Sequence, residues 1–326
     1  MAVESVVLQA IFEAFTGIVG QRWCLNARKM DEKVKACLLM GALGDAYGSK
    51  YEQSDIPAGD SNWFFTDDTQ LTMATCESIM EKGFVDPEHL AQTFRRWYRD
   101  RRLTGLGAST LKALVELVGG GSWWTVGAKG EMAAGNGAAM RIGPLAFALD
   151  PKKESDRELI ENVCRITHHN ADAYVGALAV VWAIRLVQNT QQNFIPAVIK
   201  ALPDSRVRDR LEAITQSPGL RIRDIGKRFG SSGYVVDSVP LALFAAQQAP
   251  TIGIQNMMKE IVAAGGDTDT NCSIAGQVAG VFMGAEAIPD EWMKKLRQTP
   301  KFDDFYETMR KYAAFVSSES GIQTLF

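Results

Sequence analysis

The chain of 326 residues has only three histidines and five cysteines, and these residues form none of the spaced sets that bind zinc. The cysteines are odd in number and scattered without a C-x-x-C pair, at Cys24, Cys37, Cys76, Cys164 and Cys272. A disulfide framework is therefore not predicted. We interpret the cysteines as buried thiols in a reducing compartment, which predicts a cytoplasmic protein.

The sequence also lacks a large excess of either charge. Its formal net charge is −3, which gives no electrostatic footprint for nucleic acid. Residues 6–20 are nearly uncharged, but no basic region precedes them and Glu13 lies within them, so a secretory signal is not predicted. We expect neither a membrane nor a nucleic acid as partner, and we expect a monomer.

No segment shows the period-two alternation of an exposed strand, whereas apolar residues at helical spacing recur along most of the chain. The first such stripe, at 6–15, predicts a helix that ends near Gly17 or Gly20. Further helices are predicted at 33–43, 71–81, 87–99, 108–118, 156–167, 171–188, 194–202, 236–246, 255–264 and 272–283. We predict an all-α fold with one compact domain at 30–326, preceded by residues 1–29 as a peripheral helix or mobile extension.

Two predicted helices have compositions that indicate burial. The segment 171–188 is apolar on most of its surface, as in a core helix. In the last predicted helix, Gly276, Gly280 and Gly284 recur every four residues, and small residues on one face allow neighbouring backbones to approach closely. This helix is therefore predicted to lie at the centre of the domain.

One short acidic pattern occurs twice, as TDDT at 66–69 and as DTDT at 267–270, each time before or within the start of a predicted helix. A single Asp or Thr is an ordinary N-cap residue, but adjacent like charges are repulsive unless a cation offsets them. Carboxylate and hydroxyl oxygens are preferred ligands of Mg²⁺ and Mn²⁺. The repeat therefore favours a divalent-metal site over capping alone, if the fold brings the two segments together.

An ordered set of motifs resembles the ADP-ribosylglycohydrolase family, which includes the dinitrogenase reductase-activating glycohydrolase. The motifs follow the family's order between about residues 31 and 292. They are GALGDAYGSKYE at 41–52, TDDT at 66–69, GNGAAMR at 135–141, TH at 167–168, YVVD at 234–237 and GGDTDT at 265–270. No one of these motifs is decisive, but together and in register they are specific.

The resemblance implies a compact orthogonal helical domain around a cleft that holds two divalent ions, Mg²⁺ or Mn²⁺. It implies hydrolysis of the bond that joins C1″ of ADP-ribose to an acceptor. By motif match, the implied metal ligands are Thr66, Asp67, Asp68, Asp267, Asp269 and Thr270. The implied catalytic residues are Glu52, Asp68 and Asp269, because an oxocarbenium-like transition state needs carboxylates for charge stabilisation and proton transfer. From its sequence position alone, Glu52 would be a solvated surface residue.

The resemblance also implies an ADP-ribose site. Glycine exposes backbone N–H groups that can hold a diphosphate, although GNG alone equally fits a tight turn. His168 matches a family histidine that lines the cleft, and Tyr234 matches an aromatic residue on the adenosine side; a structural histidine and a core tyrosine are the alternatives. For Arg141 two roles stay open, a contact with phosphate and an interior ion pair. The predicted substrate contacts are Ala133, Ala134, Gly135, Asn136, His168 and Tyr234.

The acceptor is predicted from a loop at 101–110. Family members that release ADP-ribose from arginine carry an acidic residue where this chain has Thr104. The surrounding sequence is more similar to members that act on O-linked ADP-ribose, such as serine adducts. We therefore expect an O-linked acceptor on a protein or small molecule, rather than arginine. The alternative function is a non-catalytic relative that binds ADP-ribose or has a structural role, and the complete set of metal-binding positions disfavours it.

Overall fold

The computed structural model describes residues 2–52, 63–189 and 192–318, with side chains from residue 26 onward. These residues form two parallel two-residue strands, β1 (Ala128–Lys129) and β2 (His168–His169), and are otherwise helical or irregular. The all-α prediction is confirmed. The helices are α1 (Ala2–Glu52), α2 (Asp67–Lys82), α3 (Pro87–Arg99), α4 (Ala108–Val118), α5 (Glu154–Arg165), α6 (Ala171–Gln188), α7 (Ile195–Ala201), α8 (Arg206–Thr215), α9 (Ile222–Phe229), α10 (Val235–Ile252), α11 (Ile254–Ala264), α12 (Thr268–Met283), α13 (Asp290–Arg297) and α14 (Phe302–Ser317).

The first helix is longer than the apolar pattern predicted. Instead of ending near Gly17 or Gly20, α1 runs without interruption to Glu52. A glycine inside a helix costs only about 1 kcal/mol relative to alanine, so it does not by itself end one. The side chains of the stripe at 6–15 and of Cys24 lie outside the described residues, and the boundary at residue 30 stays a prediction.

Four helices were missing from the sequence prediction, namely α8, α9, α13 and α14. Each buries a narrow stripe between charged residues, as α8 does with Val207, Leu211 and Ile214. The stripe has the helical spacing of four and three residues, but the charged residues around it obscure the pattern. The predicted bounds of α3, α4 and α6 are those observed.

Helices α1 and α12 cross in backbone contact. A Cβ atom added to Gly44 would lie 2.2 Å from the carbonyl oxygen of Cys272, and one added to Gly276 would lie 2.2 Å from that of Met40. Glycines on both helices thus permit the close approach that the sequence of α12 predicted. Gly284 does not extend this face, because it ends α12 in a left-handed conformation with φ 80°.

Helix α6 packs in the core against α5, α10 and α12. Among the described helices, it alone is long and apolar enough to cross a membrane by length and composition, and 67% of that segment is buried inside the protein. Burial on this scale is that of a core helix, as its composition predicted. The thiols of Cys37, Cys76, Cys164 and Cys272 are also buried and free, as predicted.

Candidate functional site

The two acidic segments form the N-terminal ends of α2 and α12, and the fold brings these ends together. The Thr66 hydroxyl caps α2 by accepting from the N–H of Asp68 at 3.4 Å, whereas Asp267 makes no side-chain cap on α12. The hydroxyl of Thr270 donates to Oδ2 of Asp68 at 3.1 Å and so links the two segments directly. Capping therefore accounts for only part of the repeated pattern.

Asp45 on α1 is a site residue that sequence reasoning missed. Its carboxylate accepts from the Thr66 hydroxyl at 2.7 Å and from the backbone N–H groups of Thr66 at 3.0 Å and Thr69 at 3.2 Å. It also accepts from the hydroxyl of Thr69. A fully buried aspartate in the otherwise apolar and glycine-rich segment 36–48 of α1 is unusual, and this sequence context was the signal that could have identified it. Asp45 holds the N-terminal end of α2 against α1.

Four predicted site carboxylates lie in two groups that share Asp269. Oxygen atoms of Asp45, Asp68 and Asp269 lie within 4.8 Å of one another, and so do those of Glu52, Asp267 and Asp269. Oδ1 of Asp68 is buried without a hydrogen-bond partner among the described residues. Leaving a buried carboxylate oxygen unpaired is costly, so the oxygen-only donor set fits a hard divalent cation. The Thr66 hydroxyl donates to Asp45 and accepts from the N–H of Asp68, and its role as a metal ligand stays a prediction.

Burial and mutual repulsion make these carboxyl groups hard to ionise. Burial raises the pKa of Asp45 to about 6 and, with the charge of Asp68, that of Asp269 to about 12. The pKa values of Asp67 and Asp68 are raised well above the ordinary range by burial and by Asp45. Burial and Asp267 also raise the pKa of Glu52. A bound cation would reverse these shifts, because it stabilises the ionised forms.

The raised pKa values predict an unusual pH dependence of stability in metal-free buffer. The folded protein holds protons that the unfolded chain releases near pH 4, so the free energy of unfolding should fall as pH rises. The decline should be steepest between pH about 4 and 6, where Asp45 and its neighbours all contribute and outnumber His168, whose lowered pKa acts in the opposite direction. Urea midpoints measured across this range with EDTA test the slope, and saturating Mg²⁺ should flatten it. A midpoint that rises with pH in EDTA would contradict the assignment.

A glycine-rich wall faces the acidic groups. The side-chain N–H of Asn136 donates to Oδ2 of Asp267 at 2.7 Å, which ties this wall to the start of α12. Gly135 bridges to Tyr234, and the carbonyl oxygen of Ala134 accepts from the N–H of Val235 at 2.9 Å. Ala133 and Ala134 are both buried and lie outside the lining of the cavity described below, and their contact with substrate stays a prediction. The segment 130–147 contains three short 3₁₀ helices.

His168 lies beneath this wall, and Arg141 lies behind it. The His168 ring is 3% exposed and its Nδ1 is 2.7 Å from the hydroxyl of Thr167. Burial and Arg141 lower the pKa of His168 to about 3, so its ring is neutral near pH 7. Arg141 is fully buried and donates to Thr167 and to the carbonyl oxygens of Gly137 and Val163. Both predictions for Arg141 are therefore wrong within the described residues, since it neither lines the cavity nor forms an ion pair.

The loop predicted to set the acceptor is held against α2 by Gln70. Its side-chain N–H donates to the Thr104 hydroxyl at 2.8 Å, and its carbonyl oxygen accepts from the Thr104 N–H at 2.7 Å. The following Gly105 has φ 79°, and an added Cβ would lie 3.2 Å from Cβ of Thr66. The hydroxyl of Thr104 thus anchors the loop, at the position where arginine-specific family members are expected to carry an acidic residue.

These elements enclose a cavity of about 260 Å³, hereafter the acidic cleft. It is lined by Glu52, Asp67, Asp68, Gly105, Gly107, Ala108, Ser109, Thr110, Gly135, Asn136, Gly137, Met140, His168, Gly233, Asp267, Asp269 and Thr270. Tyr234 is next to this lining at the start of α10, half-buried, with the Arg206 guanidinium 5.8 Å from its ring centre. Trp123 and Trp124 line a separate cavity of about 360 Å³, which His168 also lines.

The fold and the acidic cleft define a helical protein with a candidate oxygen-ligand metal site. The sequence profile of the ADP-ribosylglycohydrolase family matches residues 26–320, so the chain belongs to that family. The ADP-ribosylarginine hydrolase Tri1 of Pseudomonas putida (strain GB-1) is 28% identical, in an alignment that covers 81% of this chain and 74% of that protein. The ADP-ribosylhydrolase ARH3 of Homo sapiens is 21% identical, in an alignment that covers 88% of this chain and 95% of that protein.

The fold is also similar to that of a solved structure described as an ADP-ribosylglycohydrolase-related protein complex. The TM-score is 0.66 and the identity 25%, over 89% of this chain and 99% of that one. The family and these relatives point to hydrolysis of ADP-ribose linkages, as the motifs implied.

Proposed function

We propose that this protein is a divalent-metal-dependent hydrolase that cleaves the bond between C1″ of ADP-ribose and an acceptor. The observation that carries the proposal is the convergence of the α2 and α12 N-terminal ends on one cleft, where Asp68, Asp269 and Glu52 face a glycine-rich wall. A carboxylate cluster alone would fit many reactions. Its position opposite backbone groups that can hold a diphosphate favours an ADP-ribosyl substrate.

The ligands of two Mg²⁺ or Mn²⁺ ions would be Asp67, Asp68, Asp267, Asp269 and Thr270, with Thr66 also a candidate. Bound ions would supply Lewis-acid stabilisation of substrate oxygens. Asp68 and Asp269 are assigned to both metal binding and catalysis because each lies in a group of three close carboxylates.

Glu52 is assigned to proton transfer at the anomeric centre. It ends α1, is more exposed than the aspartates of the cluster and lies beside Asp267 and Asp269. That exposure leaves the carboxylate accessible to substrate and water, which suits a group that must both accept and release a proton.

The chain's own groups can orient the ADP-ribosyl part of the substrate. Gly135 and Gly137 line the acidic cleft beside His168, and we assign their backbone N–H groups to diphosphate and ribose oxygens. The N–H of Asn136 between them already donates to the carbonyl oxygen of Gly233 at 3.1 Å. The ring of Tyr234 lies one residue beyond Gly233, which lines the cleft, and we assign it to the adenosine side. The product is free ADP-ribose.

Incubation of the purified protein with serine-linked, arginine-linked and nucleic-acid-linked ADP-ribose tests the proposal, with Mg²⁺, Mn²⁺ or EDTA present. Release of free ADP-ribose that depends on the metal is expected. Tight binding of ADP-ribose without turnover of any linkage would instead identify a non-catalytic binding protein and reject the hydrolase assignment.

For the acceptor, we expect faster turnover of O-linked than of arginine-linked ADP-ribose. The described residues of the 101–110 loop place no carboxylate in the cleft lining, since Gly105, Gly107, Ala108 and Ser109 occupy it. A guanidinium leaving group would lack a charge-assisted contact worth about 1.5–3 kcal/mol, which is about one to two decades in rate.

Initial rates on serine-linked and arginine-linked substrates at equal concentration measure this preference. Arginine turnover about ten-fold faster in the unmodified chain would overturn the acceptor assignment and leave the metal site unaffected.

A further inference from the structure

The hydroxyl of Thr167 lies between Arg141 and His168 in the interior of the protein. The Arg141 Nη2 atom is 2.8 Å from Thr167 Oγ1, which is in turn 2.7 Å from Nδ1 of His168. Arg141 and Thr167 have no solvent exposure and His168 has 3%. Water therefore has little access to these three side chains, so they hydrogen-bond to one another and not to solvent.

The direction of each hydrogen bond follows from the chemistry of the donors. A guanidinium has five N–H donors and no acceptor, so Thr167 Oγ1 must accept from Arg141. The Thr167 hydroxyl still has one proton to donate, and its other hydrogen-bond partner within the described chain is Nδ1 of His168. Leaving that buried proton unbonded would be costly. Nδ1 is therefore the acceptor, and it carries no proton.

The remaining proton of the neutral ring lies on Nε2. Burial and the charge of Arg141 keep the ring neutral, since both disfavour the imidazolium. The ring edge that bears Nε2 is held against the GNG segment, where a Cβ on Gly135 would come within 2.9 Å of Nε2 and one on Gly137 within 2.9 Å of Cε1. Gly135 and Gly137 line the acidic cleft, so the ring edge that packs against them lies at the substrate side.

We propose that Arg141 and Thr167 are positioning residues that hold His168 as the neutral Nε2–H tautomer. His168 then presents a fixed hydrogen-bond donor, and not a general base, to an oxygen of the group bound in the cleft. That this oxygen belongs to an ADP-ribosyl substrate rests on the proposed function, whereas the tautomer does not. The wall glycines Gly135 and Gly137 serve the same end, because a larger residue at either position would displace the ring.

Long-range ¹H–¹⁵N correlation spectra of histidine-labelled protein near pH 7 report the tautomer directly. The chain has only three histidines, so His89→Gln and His169→Gln variants suffice to assign the His168 signals. We expect a protonated Nε2 and a bare Nδ1 in the unmodified protein. A protonated Nδ1, or a doubly protonated ring, would overturn the proposal without any variant being needed.

Thr167→Val tests the hydrogen bonds that join Arg141, Thr167 and His168, since it keeps the shape of the side chain and removes its hydroxyl. The Nδ1–H tautomer should become detectable, and kcat/KM should fall between about two-fold and ten-fold, the range for one neutral hydrogen bond. Thr167→Ser should restore both readouts. The matched control is Thr93→Val, because the Thr93 hydroxyl is equally buried and has no hydrogen-bond partner in the described structure.

The spectrum tests the tautomer and the assay tests hydrolysis, so either hypothesis can be rejected without the other. An unchanged tautomer in a folded Thr167→Val variant would show that the Thr167 hydroxyl does not decide which nitrogen of His168 carries the proton. A protein that shows the Nε2–H tautomer but releases no ADP-ribose would support the positioning role and reject the hydrolase assignment. Hydrolysis by a protein whose His168 carries its proton on Nδ1 would support the hydrolase assignment and reject the positioning role.

Discussion

Asp269→Asn is expected to lower kcat for ADP-ribose release by more than about a hundred-fold. Replacing even an indirect partner of a metal ligand costs about ten- to hundred-fold in metal affinity or activity, and Asp269 belongs to both carboxylate groups of the cleft. Asparagine keeps the volume and one oxygen but removes the charge that a divalent ion requires. Activity assayed across a titration of Mg²⁺ measures the loss.

The same variant should not weaken the fold in metal-free buffer. The pKa of Asp269 is raised by burial and by the charges of Asp68 and Asp267, so its charge is unfavourable without a cation. Thermal unfolding in EDTA should therefore occur at an equal or higher temperature, whereas the upward shift on adding Mg²⁺ should largely disappear. Loss of activity together with loss of fold in EDTA would contradict the ligand role.

Asp224→Asn is the matched control for this experiment. Asp224 is paired with Arg221 at 2.9 Å on α9, outside the lining of the acidic cleft, so the same chemical change should leave turnover and the Mg²⁺ shift unaltered. Wild-type turnover by Asp269→Asn at limiting metal would reject the assignment of Asp269 as a ligand.

The pairing of the two acidic segments could be predicted because the signal was local and repeated. Two adjacent carboxylates at a helix start are unfavourable unless something compensates them, and two such starts suggest a shared compensation. The structure brings these segments together through the Thr270 to Asp68 hydrogen bond. The helical periodicity likewise gave most helices, since an amphipathic stripe is a property of a short segment.

The parts that sequence reasoning missed depend on contacts between distant segments. Asp45 is separated from its partners Thr66 and Thr69 by more than twenty residues, so its hydrogen bonds have no local signature. Arg141 illustrates the same limit. Its sequence position beside GNG favoured a phosphate contact or an ion pair, but the folded chain directs it to Thr167 and two carbonyl oxygens.

The second large effect is expected at Gly44, where α1 crosses α12. A methyl group there would lie 2.2 Å from the carbonyl oxygen of Cys272 and 2.8 Å from the N atom of Ser273. Both contacts are backbone, so relief requires the helices to separate. We expect Gly44→Ala to lower the free energy of unfolding by about 3 kcal/mol or more, above the usual range for overpacking by a side chain. Urea unfolding followed by circular dichroism measures it.

Two further substitutions make a graded series with Gly44→Ala. A methyl group on Gly41 would meet Cγ of Gln277 at 2.6 Å, and a side chain can shift more easily than a backbone, so its cost should be intermediate. Gly119 has a helical φ of −70° and ordinary contacts of 3.4 Å or more, so Gly119→Ala should change stability by less than about 1 kcal/mol. Equal effects of all three variants would contradict backbone contact at the crossing.

The crossing also determines the geometry of the cleft, which gives Gly44→Ala a second readout. Asp45 follows Gly44 on α1, and Asp269 lies one turn before Cys272 on α12, so separating the helices moves these carboxylates apart. A cation held between them should then bind more weakly. If enough variant folds at low temperature, its stabilisation by saturating Mg²⁺ should be smaller than that of Gly119→Ala. An undiminished Mg²⁺ effect would show that the metal site does not depend on the approach of α1 to α12.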